Sequence, residues 1–169
     1  MGSVTGHGNI ELMKMSRPLY ELLALIFTAI LPGIEARGAI PLGFVMGLNP
    51  YIVLIVSYLA SSFPSIPIIY FLEKIEPVLR RYRLVAKIYD AFLDKVRGKA
   101  ESLRKHRYMY LALSAYVAIP LPLTGVWTGS FLAYLLGLEP KKSVISIFLG
   151  NLVASLTIFT TVYGISILL

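Results

Sequence analysis

The stretch "LPGIEARGAIPLGFVMGLNP", residues 31–50, decides the fold. Glu35 and Arg37 stand two residues apart in an otherwise apolar run, between Pro32 and Pro41. The run closes on "GLNP" (47–50), and ninety residues later the chain reads "GLEP" (137–140). At that offset Leu31-Pro32 meets Leu121-Pro122, Leu42 meets Leu132, Ile55 meets Ile145 and Leu59 meets Leu149. Leu and Ile matches are cheap in a greasy chain. The Pro and Gly matches, close together and in order, are not, and they point to an internal repeat.

Composition sets the solvent. Of 169 residues, 57% are hydrophobic, and mean hydropathy is +0.74. Globular domains are roughly 45–50% apolar on a count that also includes Gly. A chain this apolar cannot hide its surface from water, which predicts an all-α integral membrane protein, 1–169 as a single membrane domain. There is no cysteine, and the two histidines, His7 and His106, cannot form a cluster, so neither a disulfide nor a metal site is expected. Residues 1–16 lack an apolar core followed by a small-residue cleavage site, and read as a polar extension rather than a signal peptide.

Apolar blocks fall at 18–48, 50–73, 108–138 and 142–169. Between the second and third, residues 73–107 carry eleven of the sixteen basic side chains. Positive charge beside membrane segments is retained in the cytoplasm, so the basic segment 74–107 is placed there. Val78, Tyr82, Val85, Tyr89, Phe92, Val96 and Leu103 give it one apolar helical stripe. Such a helix either packs on its own domain or lies on anionic lipid headgroups. No nucleic-acid motif accompanies the charge, and no nucleic-acid partner is expected.

A spanning helix needs about 20 apolar residues. Residues 50–73 and 142–169 suffice. Residues 18–48 are divided at Pro32-Gly33, and 108–138 at "IPLPLTG" (119–125), leaving arms too short to cross comfortably. Both blocks therefore read as re-entrant hairpins, which enter the bilayer and return to the same side. The charge rule makes the first hairpin open outside and the second inside, with Lys141 and Lys142 at its exit in agreement. The expected architecture is an inverted repeat of hairpin plus transmembrane helix: repeat 1 over 17–73, repeat 2 over 108–169, and an amphipathic cytoplasmic helix between. This is a multi-pass arrangement in the cell membrane, and a secondary-transporter one. Pro32, Pro41, Pro120, Pro122 and Gly125 are the expected hairpin breaks. Gly125, Gly129, Ala133 and Gly137, with Ala39, Gly43 and Gly47 opposite, read as stripes for close helix packing. A homodimer would give remaining stripes a partner.

The acid and base then have a place. A half-helix beginning near Pro32 turns free N–H groups and a positive dipole end into the membrane. Ionisable side chains at such depth face a cavity or one another. Either the pair only pins the fold, or Arg37 offers a planar fork to an anionic headgroup while Glu35 couples movement to H+ or Na+. At the second break, Thr124, Trp127 and Thr128 are candidate substrate contacts, and alternatively packing or carbonyl-bonding residues. No nucleophile–base pair, metal cluster or phosphate-binding glycine loop occurs, so neither an enzyme nor a cofactor is expected.

"IEARGAIPLG" (34–43), "AIPLPLTGVWTG" (118–129) and "LAYLLGL" (132–138) together resemble the small multidrug export protein family, over about 18–169. That family is similar at a distance to the DedA/VTT membrane proteins. The resemblance implies two opposed re-entrant hairpins and functional positions at Glu35, Arg37, Pro41, Pro120, Pro122, Thr124, Gly125, Trp127 and Thr128. It also implies a transporter or flippase for a phospholipid or lipid-linked phosphate, or alternatively an exporter of small lipophilic cations. A non-transporting membrane scaffold is the third alternative, which broken helices do not favour.

Overall fold

The structure is a computed structural model that describes residues 18–79, 108–121 and 124–168. The expected polar extension, most of the basic helix and Pro122 lie outside the described residues. All regular structure among the described residues is helical: α1 (Pro18–Ile30), α2 (Glu35–Val45), α3 (Pro50–Ser62), α4 (Ser65–Leu79), α5 (Tyr108–Ala118), α6 (Val126–Leu135) and α7 (Pro140–Leu168).

Two stretches are long and apolar enough to cross a bilayer, Pro50–Ile75 and Pro140–Leu168, of 26 and 29 residues. At about 1.5 Å per residue both exceed a hydrocarbon core of about 30 Å. The other described apolar helices are short: α2 has 11 residues, α5 has 11 and α6 has 10. Each reaches only about half that thickness.

The offset of ninety reappears as hydrogen bonds. At the end of α2, Gly47 N–H donates to Phe44 O at 3.0 Å and Leu48 N–H to Gly43 O at 3.1 Å. At the end of α6, Gly137 donates to Tyr134 O at 2.9 Å and Leu138 to Ala133 O at 3.0 Å. Both are Schellman caps, which need a left-handed residue. Gly47 and Gly137 supply it, with φ of +73° and +63°. A Cβ at Gly47 would meet nothing within 4 Å. These two glycines are therefore turn residues, not members of a packing stripe as the sequence suggested. Pro50 and Pro140 then open the next helices, where a missing N–H costs little. Asn49 caps the first of them, its side chain accepting from Tyr51 N–H at 3.0 Å.

The other prolines need separate accounts. Pro32 lies in the turn ahead of α2, and Pro120 follows α5, so both mark breaks. Pro41 does not: α2 runs through it from Glu35 to Val45. The missing N–H removes one hydrogen bond, to the carbonyl four residues back, and the surrounding helices hold the rest of the turn. Pro64 falls in the two-residue turn between α3 and α4, while α7, with no proline after Pro140, is continuous. Helix α4 also continues past residue 73, the expected repeat boundary, to Leu79.

The buried apolar residues form two clusters. One joins Leu25, Ala29, Ala36, Ala39, Ile40 and Val53 to Phe159 of α7. The other joins Leu113, Val117, Val126, Ala133, Leu138 and Ile147 to Ile69 of α4. Each half thus borrows the far end of the other half's long helix, and the two borrowed residues, Ile69 and Phe159, are themselves ninety apart. The long helices meet at a polar crossing, where Asn151 Nδ2 donates to Ser61 Oγ and Ser62 Oγ, both at 2.8 Å.

Candidate functional site

The site lies where the two breaks meet. Glu35 opens α2 with a φ of +52°, a left-handed conformation uncommon for a residue with a side chain. That turn throws its side chain across to the second half. The carboxylate is 2% exposed, and it accepts from Val126 N–H at 3.1 Å and Trp127 N–H at 3.3 Å. These are the first two N–H groups of α6, which helix geometry leaves without internal partners. The negative charge thus rests on the positive end of the α6 dipole.

Gly125, the N-cap of α6, makes the approach possible. A Cβ there would lie 1.9 Å from Glu35 Oε2 and 2.4 Å from its carboxyl carbon. Only a residue without a side chain admits the carboxylate.

Arg37 meets the opposite kind of helix end. Its guanidinium donates to Leu121 O, to Ile119 O at 3.0 Å and to Val117 O at 3.4 Å. These carbonyls end α5 and begin the break, where Pro120 has removed a donor. The planar fork suits several acceptors at once, as an ammonium would not. Trp127, ninety residues on, does the equivalent for the first half: its Nε1 donates to Ile30 O, at the end of α1, at 3.1 Å. The two breaks therefore cap each other.

Pro32, Gly33, Glu35, Arg37, Gly125, Trp127, Thr128 and Phe131 line a cavity of about 290 Å3. Of the expected substrate contacts, Arg37, Trp127 and Thr128 come together there with Glu35. Thr124 does not line it, and its hydroxyl donates to Ile119 O at 2.7 Å and Leu121 O at 2.8 Å. Thr128 Oγ1 is bonded to Gly125 O at 3.2 Å while facing the cavity. Spacing did not reveal Phe131 as a wall, nor the mutual capping. The signal for the latter was present in the offset itself, which pairs Arg37 with Trp127. No group of three or more metal-ligating side chains occurs among the described residues.

Long apolar helices, short broken ones and charges held on helix ends define an all-helical membrane protein. Residues 35–157, well over half of the chain, match the family described as "Putative small multi-drug export protein", and the chain belongs to that family. Comparison with curated proteins and with solved structures returned no match.

Proposed function

We propose that this protein is an ion-coupled transporter that carries an amphipathic anion, of the phospholipid or lipid-linked phosphate kind, across the junction of two re-entrant hairpins. The observation that carries the reading is Glu35. Its carboxylate is a tethered anion already seated on the α6 N-terminus, at the edge of a cavity that also holds Arg37. Backbone N–H groups at a helix start suit a phosphate as well as a carboxylate. Protonation of Glu35 weakens its hold on those N–H groups and frees them, and the substrate anion takes its place beside Arg37. Entry of substrate and entry of a proton are then coupled by competition for one pair of donors.

The inverted arrangement fits this reading. Residues ninety apart touch: the Tyr58 and Phe148 rings are 6.3 Å between centroids, Asn151 bonds Ser61, and Gly125 abuts Glu35. Copies related by a two-fold axis touch their own counterparts only near that axis, so these contacts support an axis through the centre of the molecule. Short arms that cannot span support hairpins open to opposite sides, as in the DedA/VTT proteins. The basic segment then lies in the cytoplasm.

Reconstituted proteoliposomes test the proposal, with a fluorescent polyprenyl phosphate compared against a lipophilic cation. Glu35→Gln should keep anion binding and abolish the pH dependence of its transport. Arg37→Lys should weaken anion binding by about tenfold or more, since a point charge cannot replace the fork. Unchanged transport per folded molecule in both variants would make the pair structural and overturn the reading.

Export of lipophilic cations is the second reading, favoured by Trp127 and Phe131 beside the same carboxylate and by the family description. It makes the opposite forecast: Glu35→Gln abolishes cation binding, and Arg37→Lys changes little.

A further inference from the structure

A second cavity, of about 450 Å3, lies apart from the Glu35 site, between α5 and α7. Its walls are Tyr110, Leu111 and Ser114 on α5, with Lys142, Ile145 and Leu149 on α7. The two helices touch at one end of it, where a Cβ on Gly150 would lie 2.3 Å from Ser114 O and 2.9 Å from Val117 Cβ. At their first turns side chains bridge them: Glu139 N–H donates to Tyr110 Oη at 3.2 Å, and Lys142 Nζ stands 6.0 Å from the centre of the Tyr110 ring. Between these contacts the cavity forms a wedge running from Lys142 to Leu149, about 10 Å along the helix. Leu111, Ile145 and Leu149 are all more than half exposed, so the wedge opens sideways, towards the region a bilayer fills.

The two ends of the wedge differ in chemistry. Towards the deep end the walls are apolar side chains with Ser114, and the Ser146 hydroxyl is already spent on Lys142 O at 2.9 Å. The open end is charged. Lys142, whose side chain is 61% exposed, pairs with Glu139 at 2.5 Å, and Lys141 beside it is exposed as well. One acid against two lysines leaves a net positive mouth.

We infer that the α5–α7 wedge is a binding site for one anionic phospholipid of the surrounding bilayer. The phosphate sits on Lys142, in competition with Glu139, and an acyl chain lies along Leu111, Ile145 and Leu149. A soluble anion has no use for the apolar walls, and a zwitterionic lipid gains little from the positive mouth. The site does not depend on the transport reading, since it involves neither break.

The test uses the purified full chain in detergent, titrated with phosphatidylglycerol or phosphatidylcholine bearing the same acyl chains. Retained lipid is counted by native mass spectrometry. The wild-type chain should retain about fivefold more phosphatidylglycerol, the preference one lysine near an anionic surface confers. Lys142→Gln should bring that ratio close to one, and Glu139→Gln should raise it by removing the competitor. Leu149→Trp or Ile145→Trp should fill the wedge and lose the retained lipid, whereas Ile165→Trp, on an exposed part of α7 away from it, should not. Equal retention of the two lipids by the wild-type chain would overturn the inference. So would undiminished phosphatidylglycerol on whichever tryptophan variant keeps its helical circular dichroism and monodisperse elution.

Discussion

Replacing Gly125 by alanine tests the centre of the site. The added Cβ would stand 1.9 Å from Glu35 Oε2, so the carboxylate must leave the α6 N-terminus. Two hydrogen bonds to an ionised acceptor go with it, each worth about 1.5–3 kcal/mol. The displaced charge stays near a protein interior that offers it no equal partner. Breaking a buried charged arrangement this way costs about 3–5 kcal/mol, and Gly125→Ala should destabilise by that amount. The backbone itself gives no objection: Gly125 has φ −84° and ψ −164°, an extended conformation open to alanine. The cost should therefore vanish when the carboxylate is absent. In a Glu35→Ala background, Gly125→Ala should change stability by no more than about 1 kcal/mol, and even a small gain is expected from the stiffer unfolded chain. Reversible unfolding in mixed micelles, on the two single variants and the double, measures the coupling, expected near 3 kcal/mol. Additivity within about 0.5 kcal/mol would show that Glu35 and Gly125 do not meet, and the account of the site would fall with it.

Three further outcomes follow from the fold. Gly47→Ala and Gly137→Ala should each cost about 1–2 kcal/mol in the same unfolding assay, and by similar amounts, because both caps demand a left-handed residue. Asn151→Ala should cost about 1–2 kcal/mol, the range for hydrogen bonds between membrane helices, and removing Ser61 and Ser62 hydroxyls first should shrink that cost in a double-variant cycle. Single cysteines at Asn49 and Glu139, which begin equivalent spans, should react with an impermeant reagent from opposite sides of oriented vesicles; reaction from one side refutes the inverted arrangement.

What the sequence disclosed and what it withheld divide along a physical line. Features set within a few residues were legible. Gly then Pro, in "GLNP" and "GLEP", encodes a left-handed cap followed by a helix start, and both turns form as that chemistry dictates. The breaks at Pro32 and Pro120 were legible for the same reason. Pro41 misled, because a proline in an amphipathic membrane segment announces a lost donor without saying whether neighbours will hold the helix together. Features set across ninety residues were withheld. The spacing of Glu35 and Arg37 suggests a pair, yet each charge reaches a different helix end in the other half. Thr124 shows the same limit: a hydroxyl beside prolines can serve a ligand or a freed carbonyl, and only the fold decided for the carbonyls. Asn151 likewise gave no sign in the sequence of its partners, Ser61 and Ser62, which only the crossing of the long helices revealed.

The departures from the repeat are as informative as the matches. Under the proposed two-fold arrangement, positions 35 and 125 are counterparts, and they face each other at the centre. A point on such an axis can be filled from one side only. Two carboxylates there would occupy the same space and repel at close range in a medium of low polarity. One copy must therefore give up its side chain altogether, which explains why glycine, rather than a shorter polar residue, stands at 125. The same reasoning separates Arg37 from Trp127. Both donate to a carbonyl at the end of a broken helix, but only the half that carries Glu35 also carries a cation to balance it. With an acid and a base both on the first break and neither on the second, both charges of the site belong to one half of the chain, and the other half answers them with backbone alone: N–H groups for Glu35 and carbonyls for Arg37.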